Sequence, residues 1–198
     1  MFEKRVSGMF LGEIFRYVLH TLIEEFNLFS GKTSTQLETR YGIDTAAMST
    51  IAGDKSPHLT KVGEIIATAF GISESSHNDR VAVKLVSDAI VRRSARLAAV
   101  AVSAVCDHSG RFSKATEQNP VDIGADGSLV EWYPHYVEMC LGACDEILGN
   151  NASKKIKIGL AKDGSGVGAA LYLPYLVPFS MFTNIDAHCK RRNKKKRV

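Results

Sequence analysis

Residues 162–173 read Lys162-Asp163-Gly164-Ser165-Gly166-Val167-Gly168-Ala169-Ala170-Leu171-Tyr172-Leu173. Glycines at alternate positions let the backbone bend and come close to a ligand, because no Cβ stands in the way. The small residues that follow are typical of a helix, whose first turn offers free N–H groups to an anion. The stretch therefore favours a nucleotide pocket. Glycines that only allow a helix to pack closely on a sheet would leave the same pattern, so this segment does not decide the function alone.

Two segments earlier in the chain add to this pattern. Residues 2–13 read Phe2-Glu3-Lys4-Arg5-Val6-Ser7-Gly8-Met9-Phe10-Leu11-Gly12-Glu13. Residues 124–134 contain Asp126-Gly127-Ser128 and end in Tyr133-Pro134. With residues 162–173 they resemble the hexokinase family, in which Phe-Glu-Lys-Met-Ile-Ser-Gly-x-Tyr-Leu-Gly-Glu, Asp-Gly-Ser with Tyr-Pro, and Gly-Ser-Gly-x-Gly-Ala-Ala occur in this order. The resemblance covers residues 2–173.

The resemblance implies an α/β fold, namely the C-terminal portion of the ribonuclease-H-like (actin-like ATPase) large lobe of a hexokinase, with a mixed sheet packed with long helices. It divides the chain into an incomplete hexokinase region at 1–173 and a divergent basic tail at 174–198. In the family the small lobe, both phosphate loops and the aspartate that acts as general base lie upstream of the first motif. They have no counterpart here, so we expect the chain to be inactive without an N-terminal lobe.

The activity that the resemblance implies is that of an ATP-dependent hexose kinase, which phosphorylates glucose or a similar hexose at the 6-hydroxyl in the first step of glycolysis. Its ligands would be the hexose and ATP with Mg²⁺. The alternative is a catalytically inactive hexokinase-like protein with a regulatory or nuclear role. Two departures from the family pattern and the basic tail favour this alternative.

The family pattern also assigns contacts to the two ligands. Glu3 matches a glutamate that hydrogen-bonds sugar hydroxyls, a task that suits a carboxylate. A second sugar-binding glutamate of the family is replaced in Ile51-Ala52-Gly53-Asp54, where Ala52 cannot accept a hydrogen bond. The nucleotide contacts fall on Arg92, Arg93, Gly164, Ser165, Gly166, Val167, Gly168 and Leu171.

Arg92 stands where the family has threonine. A guanidinium suits a phosphate, but this side chain could equally fill space meant for the nucleotide, or form a solvated helix face with Arg93 and Arg96. Asp126 follows a predicted strand, and we favour a turn role over that of a catalytic acid. No residue of this chain is assigned to catalysis or to a metal site.

The positive charge of the chain is concentrated in one short segment. Seven of the 25 basic residues lie in 190–197, so residues 1–189 carry 18 basic and 21 acidic side chains, a net charge of −3 against +4 for the whole chain. Such a run can act as a nuclear signal or bind nucleic acid, but an unstructured, solvated tail is the more common outcome. We expect any contact with nucleic acid to be made by this tail.

The cysteines argue against a metal-binding or disulfide-rich protein, and the apolar stretches argue against a membrane protein. Cys106, Cys140, Cys144 and Cys189 show neither paired metal-ligand spacing nor a dense disulfide framework, and we expect Cys140 and Cys144 to be small core residues rather than half of a metal site. The apolar stretches are too short to cross a bilayer, and the first residues lack the apolar centre of a signal peptide. We therefore expect a cytoplasmic protein, or a nuclear one if the tail is a signal, with no membrane partner.

Periodicity and turn residues predict the main elements. Helical spacing of apolar residues indicates helices at 10–26, 34–39, 56–70, 80–105 and 134–148. Residues 30–54 otherwise lack periodicity and indicate a loop. Val121–Ala125 and Ser128–Trp132 flank Asp126-Gly127, which predicts a β-hairpin. Residues 155–160 alternate as a strand that leads into the glycine turn.

Overall fold

The computed structural model describes residues 1–149, 151–161, 163–164 and 166–167. In chain order its elements are α1 (Glu3–Val6), α2 (Gly8–Phe26), a 3₁₀ helix (Leu28–Gly31), α3 (Thr35–Glu38), α4 (Thr45–Gly53), α5 (Thr60–Thr68), α6 (His77–His108), α7 (Arg111–Lys114), β1 (Val121–Ala125), α8 (Ser128–Trp132), α9 (Tyr136–Leu148), α10 (Ala152–Lys155) and β2 (Ile156–Leu160). The described part is therefore mostly helical.

The predicted first long helix is confirmed as α2. Its apolar stripe, in which Leu11, Phe15 and Leu19 are fully buried, packs against α4 and α6. A glycine in this helix allows unusually close packing: a Cβ on Gly12 would lie 2.4 Å from the carbonyl oxygen of Ile43. The first sequence motif therefore fixes the position of the segment that leads into α4.

Helix α6 runs through the middle of the structure. Its N-terminus is held by a capping box, in which the Ser76 hydroxyl accepts from the Asp79 amide and the Asp79 carboxylate accepts from the Ser76 amide. The helix therefore begins at His77, three residues before the start predicted from the sequence. The small side chains of Ala95 and Ala99 are buried, which lets α6 lie close to its neighbours, above all α9.

The two strands form a parallel pair, in which Val121 is opposite Ile156 and Ala125 is opposite Leu160. The predicted β-hairpin is therefore wrong. After Gly127 the chain turns into α8, because Leu129 and Tyr133 are buried four residues apart, a spacing that suits a helix. A parallel pair needs a crossover connection, which α8, α9 and α10 supply.

Two further expectations differ from the structure. Residues 45–53 form α4 rather than a loop, because the Asp44 carboxylate caps the helix at the Ala46 amide, 3.0 Å away, and Met48 and Ile51 are fully buried. Helix α5 begins at Thr60 and not near Pro57. Its N-cap is Leu59 rather than Ser56, although the Ser56 hydroxyl accepts from the Thr60 amide at 3.0 Å.

Cys140 and Cys144 are core residues, as predicted, and Cys106 is buried as well. Cys106, Cys140 and Cys144 are free thiols buried between helices, and burial raises the pKa of each. Cys189 lies outside the described residues. Within the described part, no three acidic, histidine or cysteine side chains are grouped so as to hold a metal ion. None of the described helices is both long enough and apolar enough to span a bilayer.

Candidate ligand site

The glycine turn lies at the carboxyl ends of the two parallel strands. The Ala161 amide donates to the Ala125 carbonyl at 2.8 Å, so the chain leaves β2 beside the end of β1. A Cβ on Gly164 would lie 3.1 Å from the Ala161 Cβ and 3.9 Å from the Asp126 Cβ. Ligands of open α/β sheets bind outside the carboxyl ends of the strands. The position of the turn is therefore suited to a nucleotide.

The turn begins a helical segment. The Val167 amide donates to the Asp163 carbonyl at 2.9 Å, and a Cβ on Gly166 would lie 2.6 Å from the Asp163 Oδ1. Glycine at 166 therefore leaves room for the Asp163 carboxylate. Three of the predicted nucleotide contacts, Ser165, Gly168 and Leu171, lie outside the described residues.

Glu3, the predicted sugar contact, lies exposed in the first turn of α1. This short helix is attached to α6, because the Ser94 hydroxyl donates to the Val6 carbonyl at 2.9 Å and is also hydrogen-bonded to the Tyr136 hydroxyl. The Glu3 carboxylate has no hydrogen bond or ion pair with the described residues. It is open to accept from a ligand hydroxyl.

The two positions that depart from the family pattern, Ala52 and Arg92, line one pocket. This Arg92 pocket has a volume of about 260 Å³ and lies between the end of α4, the middle of α6 and the start of α9. Its polar wall is formed by Lys84, Asp88, Arg92, Tyr133 and His135. Arg93 is exposed beside it on α6. The structure thus places together two residues that the family pattern assigns to different ligands.

Lys84 and Asp54 hold the end of α4 in place. The Lys84 ammonium donates to the carbonyls of Ile51, at 3.1 Å, and Ala52, at 3.3 Å, a favourable position for a cation at a helix C-terminus. Burial would raise the pKa of Asp54, but hydrogen bonds from Ser56 and Val62 outweigh it and lower the pKa. The position of Ala52 is therefore fixed from both sides.

Sequence reasoning missed Lys84, Asp88 and Tyr133 as pocket residues. A signal for the first two was available, since Lys84, Asp88 and Arg92 are spaced four apart and must share one face of α6. Tyr133 gave no such signal, because its place depends on the turn from α8 into α9. Asp126 is exposed at the end of β1 and does not belong to a hairpin turn.

Comparison with known proteins identifies the family. A family model described as hexokinase matches residues 1–175. The chain belongs to the hexokinase family. Glucokinase of Aspergillus niger is 40% identical over 183 residues, covering 86% of this chain and 36% of that protein. Hexokinase-2 of Schizosaccharomyces pombe is 39% identical over 171 residues, again 86% and 36%.

Solved structures agree with the sequence comparison. A hexokinase from Schistosoma mansoni, solved in complex with glucose, matches 85% of this chain and 36% of its own with a TM-score of 0.74 and 27% identity. The predicted fold, part of the actin-like ATPase large lobe of a hexokinase, is confirmed, and its described sheet is the parallel pair β1–β2. This chain spans little more than a third of the length of these hexokinases.

Proposed function

We propose that this chain forms the C-terminal, ligand-contacting part of an ATP-dependent hexose kinase. The reaction would transfer the γ-phosphoryl group of ATP to the 6-hydroxyl of glucose or a similar hexose. The observation that carries the proposal is the match of the hexokinase family model to residues 1–175, which contain all three motifs in order. The hexose would be contacted by Glu3, and the remaining lobe of the enzyme would supply the general base.

The nucleotide would bind at the glycine turn. The turn lies beside the carboxyl ends of β1 and β2, the position at which open α/β sheets bind their ligands, and this position supports the proposal. Ser165, Val167, Gly168 and Leu171 complete this proposed contact by their place in the motif. Arg92 and Arg93 would approach from α6. Phosphoryl transfer depends mostly on positioning and charge stabilisation, which these residues can provide.

No magnesium site can be assigned within the described part of the chain. When bound with ATP, the ion would neutralise charge on the transferred phosphate. The described part contains no group of three acidic, histidine or cysteine side chains that could hold it. The tail, residues 174–198, is proposed to be separate from the ligand site.

A second function is favoured by the Arg92 pocket. Ala52 provides a methyl group where the family has a carboxylate, and Arg92 brings a charge where the family has a hydroxyl. Losing an acceptor in a polar site costs on the order of 1–3 kcal/mol. A hexokinase-like protein that has lost catalysis and serves regulation, in the cytoplasm or nucleus, would tolerate both changes.

Restoring the carboxylate at position 52 distinguishes the hexose kinase from the catalytically inactive protein. In a full-length form that carries both lobes, Ala52→Glu should improve glucose affinity by about ten-fold to a hundred-fold, measured by calorimetry. Glu3→Ala should weaken the binding in the same assay. Unchanged glucose affinity in both folded variants would contradict the assignment of the sugar site. The isolated chain should not consume ATP in the presence of glucose.

A further inference from the structure

Helix α1, which carries Glu3, is held in place mainly from outside. It has four residues, none of them buried, and none of the described side chains caps it. Among the described residues, a single hydrogen bond joins it to another helix. In this bond the Ser94 hydroxyl of α6 donates to the Val6 carbonyl at 2.9 Å. Because Glu3 lies less than one helical turn before Val6, the orientation of its carboxylate depends on this bond.

The Ser94 hydroxyl is itself held by a second hydroxyl. Ser94 is fully buried in α6, and its oxygen lies 2.9 Å from the Tyr136 hydroxyl of α9. A serine hydroxyl has one proton, which Ser94 donates to the Val6 carbonyl, so Tyr136 must donate to Ser94. Burial raises the pKa of Tyr136 more than the hydrogen bond to Ser94 lowers it, and the phenol therefore keeps the proton that it donates.

The ring of Tyr136 is held by a residue of the second sequence motif. Tyr136 is only 4% exposed, and its ring packs edge-on against that of Tyr133, with 6.5 Å between the ring centroids. The Tyr136 hydroxyl, the Ser94 hydroxyl and the Val6 carbonyl therefore form one chain of hydrogen bonds that links α9, α6 and α1. Successive hydrogen bonds polarise one another, so the loss of either hydroxyl weakens the whole chain.

We propose that Ser94 and Tyr136 are positioning residues for the hexose. They do not contact the sugar. They hold α1 so that the Glu3 carboxylate, which has no hydrogen bond or ion pair with the described residues, is oriented before the hexose arrives. A contact residue binds most tightly when its supporting residues fix its orientation in advance. This inference rests on the proposed contact between Glu3 and the hexose, and it adds two supporting residues to that contact.

Glucose affinity in the full-length form that carries both lobes tests this positioning role. We expect Ser94→Ala to weaken glucose binding by about three-fold to ten-fold in calorimetry, the effect of losing one hydrogen bond, and Tyr136→Phe to weaken it by a smaller factor. The affinity for ATP should not change, because α6 itself stays in place. Ser103→Ala is the matched control, since it removes a similarly buried hydroxyl from a later turn of α6, and it should bind glucose like the wild type.

A double-mutant cycle with Glu3→Ala distinguishes positioning from a general loss of stability. If Ser94 acts through Glu3, Ser94→Ala should weaken glucose binding in the wild type but should have no further effect in the Glu3→Ala variant. Equal weakening in both backgrounds, or an equal effect of Ser103→Ala, would overturn the proposal. Unchanged affinity in folded Ser94→Ala would also overturn it, while leaving the Glu3 contact intact. Unchanged affinity in Glu3→Ala would instead refute the sugar contact, and the positioning role with it.

Hydrogen exchange in the 198-residue chain provides a test that needs no ligand. The Ser7 amide donates to the Glu3 carbonyl at 2.8 Å, at the end of α1. We expect this amide to exchange about three-fold to ten-fold faster in Ser94→Ala than in the wild type, and at an unchanged rate in Ser103→Ala. Circular dichroism verifies that each variant is folded. Equal exchange in the wild type and Ser94→Ala would show that Ser94 does not hold α1, and would overturn the proposal.

Discussion

Replacing Gly12 by alanine tests how closely α2 packs on the segment before α4. In an exposed helix this change stabilises by about 0.5–1 kcal/mol. Here the added Cβ would lie 2.4 Å from the Ile43 carbonyl oxygen and 2.9 Å from the Thr45 amide, and both of these are backbone atoms that cannot rotate away. Overpacking costs about 1–3 kcal/mol. The Gly12 amide would also be pushed from the Thr45 hydroxyl, to which it donates at 2.9 Å.

We therefore expect Gly12→Ala to lower the free energy of unfolding by about 1–3 kcal/mol, seen as a lower urea midpoint at an unchanged m-value. Gly142→Ala is the matched control, since Gly142 lies inside α9 and nothing is within 4 Å of its added Cβ. That variant should be more stable than the wild type by about 0.5–1 kcal/mol. If Gly12→Ala also proves as stable as the wild type, the packing of α2 described above is wrong.

Three further predictions concern charge. Arg16→Met should destabilise the protein by about 3–5 kcal/mol in urea, because it leaves the buried carboxylate of Glu13 without its partner at 2.9 Å; a loss below about 1 kcal/mol would contradict this. Hydrogen bonds from Arg16 lower the pKa of Glu13, and at Asp54 and Asp79 burial would raise the pKa, but hydrogen bonds outweigh burial and lower it. A lowered folded-state pKa stabilises at neutral pH and is lost on acidification, so the urea midpoint should fall as the pH drops below about 4.5, where a flat profile would refute the assignment. Deleting residues 190–198 should abolish salt-sensitive retention on heparin, and equal retention would place the polyanion contact elsewhere.

The helices with long apolar periodicity were predictable from the sequence. Helix α2 and strand β2 lie close to the expected positions because their patterns are regular over their whole length. The prediction of a hairpin was wrong because Asp126-Gly127 indicates a tight turn, whereas the packing of Leu129 against the core favours a helix. The prediction of a loop where α4 lies was wrong because the nine residues of this helix carry only a cap and a short apolar stripe. The local sequence does not distinguish such a segment from a loop.

The assignment of ligand contacts to particular residues stays a prediction, and the arrangement of the candidate site could not be predicted from the sequence. Motif order alone indicated Glu3 and the glycine turn, since both depend on local backbone or on a single side chain. The convergence of Ala52 and Arg92 on one pocket requires α4 to lie against α6, which is a tertiary contact. The participation of Tyr133 depends on the same packing and had no local signal.

A chimera tests the central proposal most directly. The part of Aspergillus niger glucokinase that precedes the matching segment is joined to residues 1–175 of this chain, and glucose-dependent ATP consumption is measured. We predict activity that Ala52→Glu raises and that Glu3→Ala lowers at least ten-fold, the equivalent of about 1.4 kcal/mol. A folded chimera that stays inactive even with Ala52→Glu, or whose activity is unaffected by Glu3→Ala, would contradict the account.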